Sequence, residues 1–578
     1  MQITRRGWLG VSAAGAAALA APAAVAGAPA VIEPDRIGFP AAPFRVLTPG
    51  KRDYGPALAA LSAYAHDELV SLGLPGMTLS VTDNDGFTAV LALGWADVCA
   101  RAPVREDHLF QIGSISKSFL ALTVLSLVDA GKMSLDAPLS TYLPDAPWPE
   151  APITVAQALS HTSGLSEDVP IFPRTPDGRL WTGFAAGSRF SYSNTGYDLL
   201  GGAVTHVTGV SHETAILQRV RKPLGVADIE GRIRQANRAR SPKSYLGAND
   251  LAVDTPGAVL GEAPWDPEDT PAGSIVATSE MMARYLRGLL KFGAGQGAGV
   301  LTEASARRFV TGVIPSDEAF GPGSRYAFGV ALQPVDGIDC LHHTGGMVAF
   351  SSSFHADPAA GVAAFASVNG RLGPYRPRAT TAYAVRLMRA VRAGAPLPSA
   401  PDPLASWKIR DPSPILGRWI APDGDQDGGV FEIVAGTDFP QVANGGASAP
   451  LYRSGGGAAT ALPALSSHVL EPAPGGGLWW GSNLLGRDKP VPQPMVPDRL
   501  QAFTGMYLNR DPWAGYVEVF ARGEALVVDG LGPIVERGGY WSGEKDVGGL
   551  DRVRFDGVLG GRATRLNLSG SDFLRVEV

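Results

Sequence analysis

The chain has 578 residues, which at roughly 150 residues per domain suggests about three to four domains. With 45% hydrophobic and 18% charged residues, it can build a large core and lacks the composition of a disordered chain. A net charge of −6 without a basic block argues against nucleic acid as a partner, and two cysteines, Cys99 and Cys340, rule out a Cys-rich metal site or a disulfide-dense scaffold.

Thr4-Arg5-Arg6-Gly7-Trp8-Leu9 leads into an Ala-rich run ending in small residues at Ala24-Val25-Ala26 and Ala26-Gly27-Ala28. This predicts a twin-arginine signal peptide over residues 1–28, cleaved on export to the periplasm, with no stable membrane anchor left. An oxidising compartment would permit a Cys99–Cys340 disulfide, but two small apolar residues in strands is the simpler expectation.

Met77–Thr82 alternates, Asp83-Asn84-Asp85-Gly86 turns, and Phe87–Leu93 runs back, a hairpin pattern. Ser116–Ala130 is apolar without a breaker until Gly131, which predicts a buried helix. A helical, loop-rich stretch follows to about residue 310. Strand character returns at Tyr326–Gln333, Met347–His355 and Gly361–Val368, so one sheet is expected to draw strands from both ends of the segment. Six prolines between Pro396 and Pro414 predict a stiff linker. Beyond it, Gly417-Arg418-Trp419 with Val430–Ile433 echoes Gly505-Met506-Tyr507 with Tyr516–Val519, which predicts two copies of a small β barrel.

Three short motifs carry chemistry. Ser114-Ile115-Ser116-Lys117 puts a hydroxyl and an amine on one helix face; serine needs a base, and a buried lysine favours its neutral form. Tyr192-Ser193-Asn194 can relay a proton and position a carbonyl. His343-Thr344-Gly345-Gly346, expected at the start of a strand, lets a substrate approach the backbone and offers an N–H to an oxyanion. Each motif alone is weak: Ser542-Gly543-Glu544-Lys545 and Tyr507-Leu508-Asn509 recur in the Gly-rich β region. His161 and His342 lack the spacing of a metal site, and neither a metal nor a cofactor is expected.

In this order the motifs resemble the serine β-lactamase-like superfamily, class C type, which takes in penicillin-binding DD-peptidases, family VIII esterases and D-aminopeptidases. Phe110–Phe119 resembles its nucleophile segment. Leu159-Ser160-His161-Thr162-Ser163-Gly164-Leu165, Gly187–Tyr197 and Pro271-Ala272-Gly273-Ser274 are similar to further signatures. The resemblance covers roughly residues 55–390 and implies an α/β fold: an antiparallel sheet with a helical insertion, followed by two all-β barrel-like domains. The implied boundaries are 34–395 for the catalytic domain, 396–414 for the linker, and 415–495 and 498–578 for the β domains.

The resemblance further implies an acyl-enzyme on Ser114, with Lys117 and Tyr192 sharing the base and acid roles. Asn194, His343, Thr344 and Gly345 would bind substrate, and the N–H groups of Ser114 and Gly346 would form the oxyanion hole. Where β-lactamases and DD-peptidases usually have Lys, this chain has His343, which puts efficient β-lactam hydrolysis in doubt and resembles D-aminopeptidases and esterases. The expected activity is an amidase or peptidase on small, D-configured peptides. The alternatives are a carboxylesterase or weak class C β-lactamase, and a catalytically silent binding protein of the same fold. The expected partner is a small-molecule or peptide substrate, and a homodimer stays open.

Overall fold

The structure, a computed structural model, describes residues 31–32, 37–248, 252–422, 424 and 429–576. The signal-peptide expectation over residues 1–28 lies outside the described residues.

The alternation around Asp83–Gly86 closes as expected into a hairpin of β1 (Gly76–Asp83) and β2 (Thr88–Asp97). The late strands β3 (Ala331–Val335), β4 (Ile338–Met347), β5 (Phe350–Asp357) and β6 (Val362–Val368) form an antiparallel run. β6 then pairs with β1, Phe365 opposite Ser80, so the sheet does draw on both ends of the segment. Every residue of β1, β5 and β6 is buried because helices cover both faces of the sheet. On one side lie α1 (Gly55–Leu72) and α5 (Arg378–Ala393). On the other lies α4 (Ser279–Gly293), beside the helical middle of the chain. The period of two shows in β6: Ala363 and Phe365 enter the helical core, while Val362, Ala364, Ala366 and Val368 enter the core under α1 and α5.

One expected strand boundary moves. β4 starts at Ile338 and runs through Met347, so His343-Thr344-Gly345-Gly346 lies inside a strand and not at its start. Glycine disfavours strand interiors, so two in a row place the expected strand start there. Contact requires them: a Cβ on Gly345 would fall 1.9 Å from the Ile112 carbonyl oxygen. Cys340 is buried in β4, whereas Cys99 sits exposed in a turn after β2; both are free thiols.

The two C-terminal β units are barrel-like. Nine strands from β7 (Gly417–Ile420) to Asn483–Arg487 form a nearly closed sheet, and eight from β9 (Gly505–Leu508) to Ser571–Val576 form a closed barrel. The internal repeat is structural. In the first unit, Gly417 faces Ile433 on β8 (Val430–Val434); in the second, Gly505 faces Val519 on β10 (Tyr516–Arg522). Trp419 Nε1 donates to the carbonyl four residues upstream (2.7 Å), as does the Tyr507 hydroxyl (2.8 Å). Arg487 lies over the Trp419 ring at 4.5 Å and Arg575 over the Tyr507 ring at 5.1 Å. An arginine from the last strand thus locks the first strand in both units. In the proline-rich stretch, Ala405–Trp407 forms one 3-10 turn, and Trp407 packs with Phe439 and Tyr452 against the core under α1 and α5.

Gly505 has φ +142°, and a Cβ there would lie 2.4 Å from Arg575 Nη1, a guanidinium already fixed by the carbonyls of Ala502 and Ala563. Gly505→Ala should therefore cost about 1–3 kcal/mol. Gly515→Ala, at φ +57° with open space around it, should cost less, and denaturant unfolding compares the two.

Candidate active site

Ser114 lies in a single 3-10 turn, Gly113–Ile115, that runs directly into α2 (Ser116–Asp129). This helix is buried from Ser116 to Leu127, as an all-round apolar sequence demands. Lys117, on its first turn, has no exposed surface. Its Nζ donates to Ser114 Oγ (3.0 Å), Asn194 Oδ1 (2.6 Å) and the Ala272 carbonyl (2.9 Å). Burial pulls Lys117 down to about 8, opposed by the carboxylates of Asp198, Asp168 and Glu167.

Tyr192-Ser193-Asn194 forms the N-terminus of α3 (Asn194–Thr208). Ser193 is the cap: its Oγ accepts from Gly196 N (3.0 Å) and donates to the Ser166 carbonyl (2.8 Å). Asn194 bridges, accepting from Lys117 and donating to Asp168 Oδ1 (2.7 Å). The Tyr192 ring lies 4.8 Å from Lys117 Nζ and 4.2 Å from the His161 ring. Burial raises the Tyr192 phenol well above its usual range, and the neighbouring Ser114 hydroxyl works the other way. His161, at φ +57°, accepts the Ser193 N–H on Nδ1 (3.0 Å), so it fixes the loop that carries Tyr192.

The third motif supplies an open strand edge. Pairing of β4 with β3 ends at His342, while pairing with β5 continues to Met347. The Ser114 turn occupies the freed edge: a Cβ on Gly113 would fall 2.4 Å from Gly346 N, so the backbone at 113–114 abuts the Gly346 amide. Gly346 lines the cleft with Ser114, whereas His343 and Gly345 are buried and Thr344 is half-buried outside that lining. His343 Nε2 meets the Tyr326 hydroxyl at 3.0 Å, and burial, reinforced by Lys117, pulls His343 down to about 3. It is a neutral imidazole at pH 7.

The cleft encloses about 80 Å³, room for a small group rather than an extended chain. Asp168, Asp198 and Glu268 line it, with Glu167 adjacent in sequence. Glu167, Asp168 and Glu268 are recessed but open to solvent. Desolvation pushes Asp198 up to about 6 and Glu167 to about 7. Glu268 rises to about 8, by desolvation first and then by the like charges of Asp266, Asp511, Asp198 and Asp168. Trp513, from the loop between β9 and β10, completes the lining. The barrel is held there by Ser166 Oγ to Asp551 (2.5 Å), Trp181 Nε1 to the Leu550 carbonyl (2.9 Å) and Arg174 to Asp572 (2.9 Å). Arg376 packs its guanidinium on Gly346, where a Cβ would meet Nη2 at 2.4 Å. None of these acidic residues, nor Trp513 or Arg376, belongs to a motif, so spacing alone gave no signal for them.

A sheet of this order with a Ser–Lys–Tyr–Asn cluster at its edge defines a serine hydrolase of the β-lactamase/DD-peptidase fold. The Beta-lactamase family model matches residues 59–388, more than half of the chain, and the chain belongs to that family. It is 30% identical over 370 residues to "Penicillin-binding protein 4" of Amycolatopsis lactamdurans, covering 60% of this chain and 93% of that protein. It is 34% identical over 165 residues to "Esterase EstB" of Burkholderia gladioli, covering 24% of this chain and 42% of that protein. Among solved structures, the octameric penicillin-binding protein homologue from Pyrococcus abyssi shares the fold, at TM-score 0.52 and 20% identity, over 74% of this chain and 99% of that one.

If Lys117, pulled down to about 8, is the group that accepts the Ser114 proton, labelling of Ser114 by a fluorophosphonate should accelerate as pH rises through 8. A rate independent of pH between 6 and 9 would contradict this assignment.

Proposed function

We propose that this hydrolase is an amidase or peptidase that acts through an acyl-enzyme on small substrates bearing a free amine, D-aminoacyl amides among them. The observation that carries the reading is that Asp168, Asp198 and Glu268 line the same cleft as Ser114, their carboxyls raised by desolvation and mutual repulsion that a bound ammonium would relieve. Lys117 acts on them as one cation but directs its hydrogen bonds to three other acceptors, so the carboxyl groups outnumber it and a substrate ammonium would add positive charge there. The small cleft volume supports a small acyl group.

In this reading Lys117, neutral in part, takes the Ser114 proton as Oγ attacks the carbonyl carbon. The N–H groups of Ser114 and Gly346 hold the oxyanion. Tyr192, a phenol at neutral pH, passes a proton to the leaving nitrogen as the C–N bond breaks; water then attacks the acyl carbon, giving a proton back to Tyr192, and Lys117 returns its proton to Ser114 Oγ as the acid leaves. Asn194 keeps Lys117 in place. His343, uncharged, steadies Tyr326 behind the cleft and offers no cation to a β-lactam carboxylate.

A second reading, an esterase, is favoured by the 34% identity to Esterase EstB. Initial rates on D-alanine p-nitroanilide, its N-acetyl derivative and p-nitrophenyl acetate separate the two. Hydrolysis lost in Ser114→Ala, about tenfold faster with the free amine than with the N-acetyl form, and weakened through KM by Asp168→Asn or Glu268→Gln, is the expected result. Equal rates on the two anilides would overturn it, and turnover of the ester alone would move the assignment to esters. The proposal also includes export through the twin-arginine segment. N-terminal sequencing of periplasmic protein should then begin beyond Ala26.

A further inference from the structure

A second cavity, of about 430 Å³, opens where the β1–β2 turn (Asn84–Gly86) meets Pro223–Gly225 and one face of α4. It shares no lining residue with the catalytic cleft. Its charge is opposite. Arg284, Arg287 and Lys291 line it, and their i, i+3, i+7 spacing places them on one side of α4.

Arg287 is the centre of the cluster. Its Nη1 donates to Thr82 Oγ1 (2.9 Å) and Thr88 Oγ1 (2.6 Å), two neutral hydroxyls on the buried strands β1 and β2. Among the described residues no carboxylate reaches ion-pair distance of Arg287 or of Lys291. Arg284 pairs with the half-buried Glu280 (2.9 Å). Asp85 also lines the cavity, but its carboxylate is already shared by Lys51 (3.3 Å), Arg52 (2.9 Å) and Arg392 (3.3 Å). A half-buried guanidinium with no ion-pair partner is costly, and Asp83 and Glu280 act on Arg287 only from beyond ion-pair distance. Burial, with Arg284 next to it, accordingly pulls Arg287 below the usual arginine range. The threonines fix one edge of the guanidinium and leave the rest of its fork for a planar or tetrahedral oxyanion.

We propose that this cavity binds a small molecule carrying a phosphate-type oxyanion, with Arg284, Arg287 and Lys291 on the oxyanion and Pro223, Leu224 and Ala298 against its apolar part. The volume is within the range of small-molecule sites and exceeds what inorganic phosphate alone would fill.

Isothermal titration of the full chain with inorganic phosphate and with phenyl phosphate, at ionic strength held constant with sodium chloride, tests this. Both probes should bind once per chain, phenyl phosphate the more tightly. The exposed double variant Arg284→Ala/Lys291→Ala should weaken both by about tenfold or more, the loss of one to two charge-assisted hydrogen bonds, with unfolding midpoint and Ser114-dependent hydrolysis unchanged. Arg287→Met should weaken binding too, and if it also destabilises the fold the double variant decides. No heat beyond the salt control, or unchanged binding in the double variant, would overturn the site. Equal affinities for the two probes would overturn the small-molecule ligand and leave a site for the free oxyanion.

Discussion

Most of the catalytic domain answers to one constraint: an amine with no exposed surface must have all its partners built in. Lys117 meets a hydroxyl from the turn just before it, and an amide and a backbone carbonyl from two remote segments. α2 must be buried to carry it, α3 must begin beside it to bring Asn194, and the 271–274 loop must present the Ala272 carbonyl. The helical middle of the chain places the last two. The same burial that holds the amine in position also brings it toward neutrality, so stability and nucleophile activation draw on a single arrangement.

The strand edge at β4 is the second half of the design. Glycine at 345 and 346 costs strand propensity but removes the Cβ atoms that would hold the Ser114 turn and Arg376 away. His343, where a lysine would bring a charge, is instead an uncharged member of an aromatic layer of Tyr192, Phe320 and Tyr326. Lys117 lies beside the cleft and Arg376 against Gly346, while the carboxyl groups of Asp168, Asp198 and Glu268 line the cleft. Charge is partitioned over the whole domain: the cleft at Ser114 is acidic, and the cavity along α4 is basic.

The second β unit contributes to the cleft as well as to the outline of the molecule. Trp513 reaches the lining only because the barrel is seated on the 164–183 loop, where Gly183 lets Leu550 approach closely. Each β unit repeats the same lock between its first and last strands. That repeat shows in the sequence as a faint echo of glycine and aromatic residues, while its arginines, Arg487 and Arg575, stand too far from them in the chain to be read as part of it.

Local pattern determined a good deal. Alternation around an Asp-Gly turn specified the β1–β2 hairpin, an unbroken apolar run specified α2, and three-residue spacing set Ser114 beside Lys117, since each depends on neighbours a few residues apart. The ordered set of motifs carried the family. Only tertiary structure decided that His-Thr-Gly-Gly lies within β4, because its glycines answer to the approach of Ile112 and Gly113 more than two hundred residues earlier. The same holds for the carboxyl groups of the cleft, Trp513 and the Arg287 cavity. Each joins side chains from separate segments, and a charge declares its role only once folding has fixed which other charges and how much water surround it.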